Sequence, residues 1–156
     1  MNYYAALQRM AIAKLGPPLM VSDAEQLIRQ QRRFANAMRE ARPVAHAGDF
    51  FTPAVSRYFR ARVEAVVWDT GLDVAMLFEA PDEDEVVVTP VLRVWEAVPW
   101  NAGPVMWPSM LWALPGLPPD LEYRVSGRHL VLIDVLANLV VDVLHDARPG
   151  PESSSS

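Results

Sequence analysis

Apolar residues recur every three or four positions through the first part of the chain and alternate with polar ones further on. Tyr4, Leu7, Ala11 and Leu15 share a face, which predicts a helix over 3–15, capped by Asn2 and stopped by Gly16-Pro17-Pro18. Ser22-Asp23-Ala24-Glu25 reads as a capping box that opens a second helix, hydroxyl and carboxylate each satisfying an orphan amide. Ala24, Leu27, Ile28, Gln31, Phe34, Met38 and Ala41 then form one stripe expected to be buried, and Pro43 ends the helix. Thr52-Pro53 starts a third helix with Val55, Phe59, Val63 and Val66 as its apolar stripe, and Gly71 closes it. Helices two and three are expected to form a hairpin.

From Leu72 the period changes. Leu72, Val74, Met76 and Phe78 alternate with Asp73, Ala75, Leu77 and Glu79, a strand pattern. Pro81 and the acids 82–85 read as a turn, and 86–89 with 91–94 as a second extended run that Pro90 confines to an edge or a bulge. Residues 95–120 hold Trp95, Trp100, Trp107 and Trp112 among six prolines, which excludes a long helix or a central strand. A short helix fits only MWPSMLWAL, and the rest reads as a long loop. Two uses of this segment stand open: indoles that fill the edge of the core, or an aromatic surface for a partner.

The stretch 121–146 carries the most continuous apolar surface, and within 130–144 only Asp134, Asn138 and Asp142 are polar. Leu121, Tyr123 and Val125 alternate with Glu122, Arg124 and Ser126, and a tight turn at Ser126-Gly127 leads into a strand over 129–135. The following run suits a helix or a strand, and its Val and Ile content favours the strand. A three-residue turn at Leu136-Ala137-Asn138 then places Asp134 opposite Val140 and Leu132 opposite Asp142. That register keeps both carboxylates on one face and out of an apolar set, where an unpaired charge would cost several kcal/mol. Pairing with Arg124 or Arg128 is expected.

Glu122-Tyr123-Arg124-Val125, Gly127-Arg128, Leu130-Val131-Leu132, Asp134-Val135 and Ala137-Asn138-Leu139-Val140-Val141-Asp142 resemble the C-terminal unit of some uncharacterised bacterial proteins, many of them exported. The resemblance covers residues 121–146 and implies a β-rich unit with no known activity, so no functional residue transfers. The chain departs from those proteins in showing no evident export signal at its N-terminus. The reading is therefore a cytoplasmic protein, or a periplasmic one whose signal has been removed.

Composition narrows the picture. The 156 residues carry no cysteine, which excludes disulfides, thiolate metal sites and a cysteine nucleophile. No apolar run reaches the roughly 18–20 residues that span a bilayer. The formal charge of −5 conceals +5 over residues 1–67 and −10 over 68–156. With pI ≈ 5.1 and a single lysine, nucleic acid is disfavoured as a partner. The seven glycines form no phosphate-cradling or dinucleotide pattern and no G-x-S-x-G elbow surrounds a serine, so no cofactor is expected.

These features predict an α+β fold: an N-terminal helical layer of two to three helices packed on a small antiparallel sheet, with the Trp/Pro-rich loop. One domain over 1–149 is expected, helical over 1–71 and β-rich over 72–149, followed by a disordered polar tail at 150–156. The leading functional expectation is a non-catalytic interaction or assembly module that meets a protein partner or another copy. Trp95, Trp100, Met106, Trp107, Met110 and Trp112 are its candidate contacts. A metal-dependent or acid–base hydrolase centred on Asp134, Asp142 and His145 is the alternative. A basic face of Arg29, Arg32, Arg33, Arg57 and Arg60, binding an anion or nucleic acid, is the second alternative.

Overall fold

The polypeptide turns back twice within its last third to make the sheet on which the other described elements are laid. The computed structural model describes residues 2–20, 23–71, 92–99 and 108–147. Strands β1 (Leu121–Ser126), β2 (His129–Asp134) and β3 (Leu139–Leu144) are antiparallel in the order β1-β2-β3. Gly127, at φ 59°, supplies the left-handed residue of the two-residue β1–β2 turn. Helices α1 (Asn2–Leu15), α2 (Ala24–Ala41), α3 (Pro53–Thr70) and the short α4 (Pro108–Ala113) complete an α+β fold.

One core joins helices and sheet, with Leu7, Phe34, Phe59 and Met110 meeting Tyr123, Leu130, Leu132 and Leu139. On the opposite face Val131, Ile133, Val140 and Val143 form a second apolar layer, packed with Leu92, Val98 and Val135. Burial on both faces explains why β2 and β3 read as nearly unbroken apolar runs.

The β2–β3 register differs from the expected one in its inner half. Leu132 lies opposite Asp142 as expected, but Ile133 faces Val140 and Asp134 faces Leu139, so Val141 is an extra residue. The loop is four residues long, 135–138, with Asn138 at φ 54°. The bulge turns Leu139 and Val141 toward the helices while Val140 and Val143 face away. A regular strand would have put Leu139, Val141 and Val143 on one face.

Three helix expectations also change. The cap of α2 is Asp23, whose carboxylate accepts from the Glu25 amide; Ser22 lies outside the described residues. Only the second half of the α2 stripe is buried, at Phe34 and Met38, whereas Ala24, Leu27, Ile28 and Ala41 are exposed. Helix α2 packs against α1 and α3 against α4, so the expected α2–α3 hairpin does not form. The connection between them runs over the sheet instead, its amides bound to Asp142. Helix α3 follows expectation, with a Thr52 cap and Gly71 at φ 63°.

Of the Trp/Pro-rich segment, residues 95–98 run beside β3. Val140 N donates to Glu96 O (2.9 Å), Trp95 N to Val140 O (2.7 Å) and Val98 N to Asn138 O (3.0 Å). Leu92–Val94 lead into a turn rather than a strand. The strands expected over 72–79 and 86–89, the acidic turn, Trp100, Met106, Trp107 and the tail 150–156 lie outside the described residues. No helix among the described residues is long and apolar enough to cross a membrane.

Candidate functional site

Asp134 and Asp142 are both fully buried, and each is claimed by its own set of donors. Asp134 ends β2 and turns toward α1, where Oδ2 accepts from the Tyr4 hydroxyl (2.7 Å) and Gln8 Nε2 (3.4 Å). Its Oδ1 accepts the Leu136 and Ala137 amides at 2.9 and 3.0 Å, which shapes the loop into β3. Burial outweighs these bonds and raises the Asp134 pKa above the usual carboxylate value, while burial and the facing carboxylate raise that of Tyr4.

Asp142 faces the 46–51 connection. Gly48 N and Val143 N donate to Oδ1 at 3.0 and 2.9 Å, and Phe50 N and Phe51 N donate to Oδ2 at 3.0 and 2.8 Å. Gly48 has φ 88°, a conformation in which a side chain is strained, and this lets three amides of one short loop converge. Neither carboxylate pairs with Arg124 or Arg128, which bind Glu122 and Asp146 instead. The sequence hint for this clamp was slight: a lone Gly followed by two Phe in a glycine-poor chain.

His145 stands apart at the exposed end of β3, its ring 5.0 Å from that of His129. The Asp146 amide donates to His129 Nδ1 (3.0 Å), so the neutral ring carries its proton on Nε2 and offers no lone pair to a metal. Burial and the nearby His145 lower the His129 pKa. Asp134, Asp142 and His145 thus do not converge, and among the described residues no group of three or more ligand side chains could hold a metal ion.

The arginines are divided. Arg29 pairs with Glu25 (3.5 Å), and Arg60 donates to the carbonyls of His145 (2.7 Å) and Asp146 (3.4 Å). Arg32, Arg33 and Arg57 are exposed without an ion pair among the described residues. Arg29, Arg32 and Arg33 stand on α2 and Arg57 and Arg60 on α3, two helices whose main packing partners are α1 and α4.

The aromatic candidates are divided as well. Trp95 is core rather than surface, 8% exposed, with Nε1 donating to Arg42 O (3.0 Å) and its ring edge-on to Tyr4 at 6.1 Å. Its φ of 69° is strained for a tryptophan and is held by the bonds to β3. Met110 is buried beneath α4. Both are corrections to the expected contact set, and the cause is shared: each is the inward residue of a short segment laid on the core.

Trp112 is 89% exposed. Its chain neighbour Leu111, with Pro115, Leu117, Leu121, Glu122 and Tyr123, lines a groove of about 310 Å³ between α4 and β1. The platform is ordered from below, since Met110 and Leu114 are buried and Arg62 Nε donates to Ala113 O (2.9 Å) at the end of the helix. The Tyr123 hydroxyl donates to Pro115 O (2.9 Å) and fixes the groove wall. A second, smaller cleft of about 110 Å³ lies between Tyr3, Arg42, Asp49 and Phe50. There the Arg42–Asp49 ion pair is internal, with the guanidinium 5.2 Å from the Trp95 ring centroid.

Asparagine at position 134 offers a direct test of the buried carboxylate. Its oxygen can keep the two amides while its NH2 donates to the Tyr4 oxygen and a rotated Gln8, so the cost at neutral pH stays under about 1.5 kcal/mol. A raised folded pKa means that native Asp134 holds a proton which the unfolded chain has already lost. Its contribution is therefore fully present below the unfolded pKa and is lost as pH rises through the folded one. Denaturant unfolding across pH 4–7 should show D134N gaining on the native protein as pH rises; a variant that loses ground would refute the assignment. No family model, curated protein or solved structure matches this chain, so the site is read from its own geometry alone.

Proposed function

We propose that this is a non-catalytic protein-interaction module whose docking surface is the α4–β1 groove and Trp112. The observation that carries this reading is a nearly fully exposed indole on a helix whose inward side chains and C-terminal carbonyl are all tied down. Solvent-facing tryptophan beside an apolar concavity is the composition of an interface centre, where a few large anchors supply most of the binding energy. The contact set is narrower than the whole 95–120 segment and consists of Leu111, Trp112, Pro115 and Leu117, the exposed or half-buried residues of this stretch. Compartment and biological source play no part in it.

Trp112→Ala should leave folding stability within about 0.5 kcal/mol, because the side chain touches little. Used as bait in affinity purification, the variant should lose at least roughly thirtyfold in retention of whatever the native chain retains specifically, the effect of one anchor worth about 2 kcal/mol. Equal retention by the two baits would rule the surface out.

A further inference from the structure

The turn that leads out of β3 is fastened to the first residue of β2 through a ring nitrogen. Asp146 N donates to His129 Nδ1 (3.0 Å), and the next amide, Ala147 N, donates to Arg128 O (2.9 Å). Arg128 Nε reaches the Asp146 carboxylate at 2.9 Å, and Arg60 of α3 donates to the carbonyls of His145 and Asp146. Asp146 has φ 56°, a left-handed conformation that costs energy and persists where the bonds around it hold it. Ala147 is buried, His129 is half-buried, and His145 and Asp146 are exposed, so protons reach the turn from solvent.

Of these contacts, the His129 bond is the one whose acceptor changes charge near neutral pH. A neutral imidazole accepts at one nitrogen and donates at the other, whereas an imidazolium donates at both. Protonated His129 therefore turns an N–H toward the Asp146 N–H, and their bond cannot persist in place. The charged groups around the ring divide. His145, its ring centroid 5.0 Å away, and Arg128 oppose a charge on His129, Asp146 favours one, and Arg60 meets the turn through its carbonyls. Burial first, and then the His145 charge, hold the His129 pKa below the usual histidine value, so the bond is intact at neutral pH.

We propose that His129 is an acid-sensitive latch: protonation of its ring releases the Asp146 amide and lets Asp146 leave its left-handed conformation, while the three strands stay paired. Proton concentration thereby sets the path on which the chain leaves β3. The lowered folded pKa gives the sign. The latch contributes above the unfolded pKa, and its contribution is lost as pH falls through the folded one. Asp134 runs the opposite way, losing its contribution as pH rises, so global unfolding mixes the two responses and a local readout is needed.

NMR titration of the full chain between about pH 8 and about pH 4.5 is the test. In the neutral form His129 Nδ1 should carry no proton. As pH falls, the Asp146 amide proton should move upfield with the same midpoint as the His129 ring signals, while the Val125 and Val131 amides hold their positions. His129→Asn places a side-chain oxygen about where Nδ1 lies and accepts without titrating, so its Asp146 amide should lose the pH-linked shift. At one acid pH, hydrogen exchange at Asp146 should be at least about threefold faster in the native chain than in H129N, and alike in the two at neutral pH. An Asp146 amide that stays in place while the native His129 ring titrates overturns the proposal, a result that needs no variant. An equal shift of that amide in H129N assigns the response to another group and overturns it as well.

Discussion

Asp142→Asn is expected to destabilise the fold by about 3–5 kcal/mol, although it changes no more than an oxygen for a nitrogen. All four donors to Asp142 are backbone amides, two on each oxygen. An amide cannot reverse its role, so either orientation of the asparagine side chain points its NH2 at two N–H groups. The Phe51 and Val143 amides are buried, and the Gly48 and Phe50 amides are partly so, so the lost acceptor is poorly replaced. Asp134 forms the control because two of its four donors, a hydroxyl and a carboxamide, can also accept. Chemical unfolding should therefore separate D142N from D134N by at least about 2 kcal/mol at pH 7. Equal midpoints would show that the clamp contributes little.

Phe59→Ala should cost a similar amount, about 3–5 kcal/mol, a large share of the 5–15 kcal/mol typical of a whole domain. Phe59 is the centre of an edge-to-face cluster, with ring centroids 5.3 Å from Phe51, 5.7 Å from Tyr123, 6.2 Å from Tyr58 and 6.3 Å from Phe50. It thereby joins α3, the 46–51 connection and β1 at one fully buried point. Phe51 belongs to both networks, its ring against Phe59 and its amide on Asp142. A double-mutant cycle between positions 59 and 142 should accordingly show coupling of at least about 0.5 kcal/mol. Strict additivity would mean that the two sites hold the connection independently.

Much of the architecture was legible from local chemistry. Thr52-Pro53 and Gly71 bound α3 because a cap hydroxyl, a preset φ and a left-handed terminus are properties of single residues. The three C-terminal strands follow from β-branched runs separated by turn residues, and the short helix within MWPSMLWAL follows from the spacing of its prolines. That the two aspartates need partners was legible, but the expected arginines are not those partners.

The candidate site was much less legible. Amphipathic spacing identifies which side of α2 is apolar but not whether another element covers it, and Leu27 and Ile28 stay exposed among the described residues. A tryptophan's type does not tell burial from display: Trp95 and Trp112 fell in one segment, and only the path of the backbone sends one inward and the other out. Three of the four partners of Asp142 were invisible because they are main-chain amides 91 to 94 positions away, which every sequence possesses. The bulge at Val141 was equally hidden, since nothing in the local pattern of β3 marks the register shift against β2. The sequence by itself determined the elements, the apolar faces and the charge asymmetry, because each depends on residues close along the chain. Tertiary structure alone decided which of those faces were covered, because covering a face depends on where distant segments come to lie.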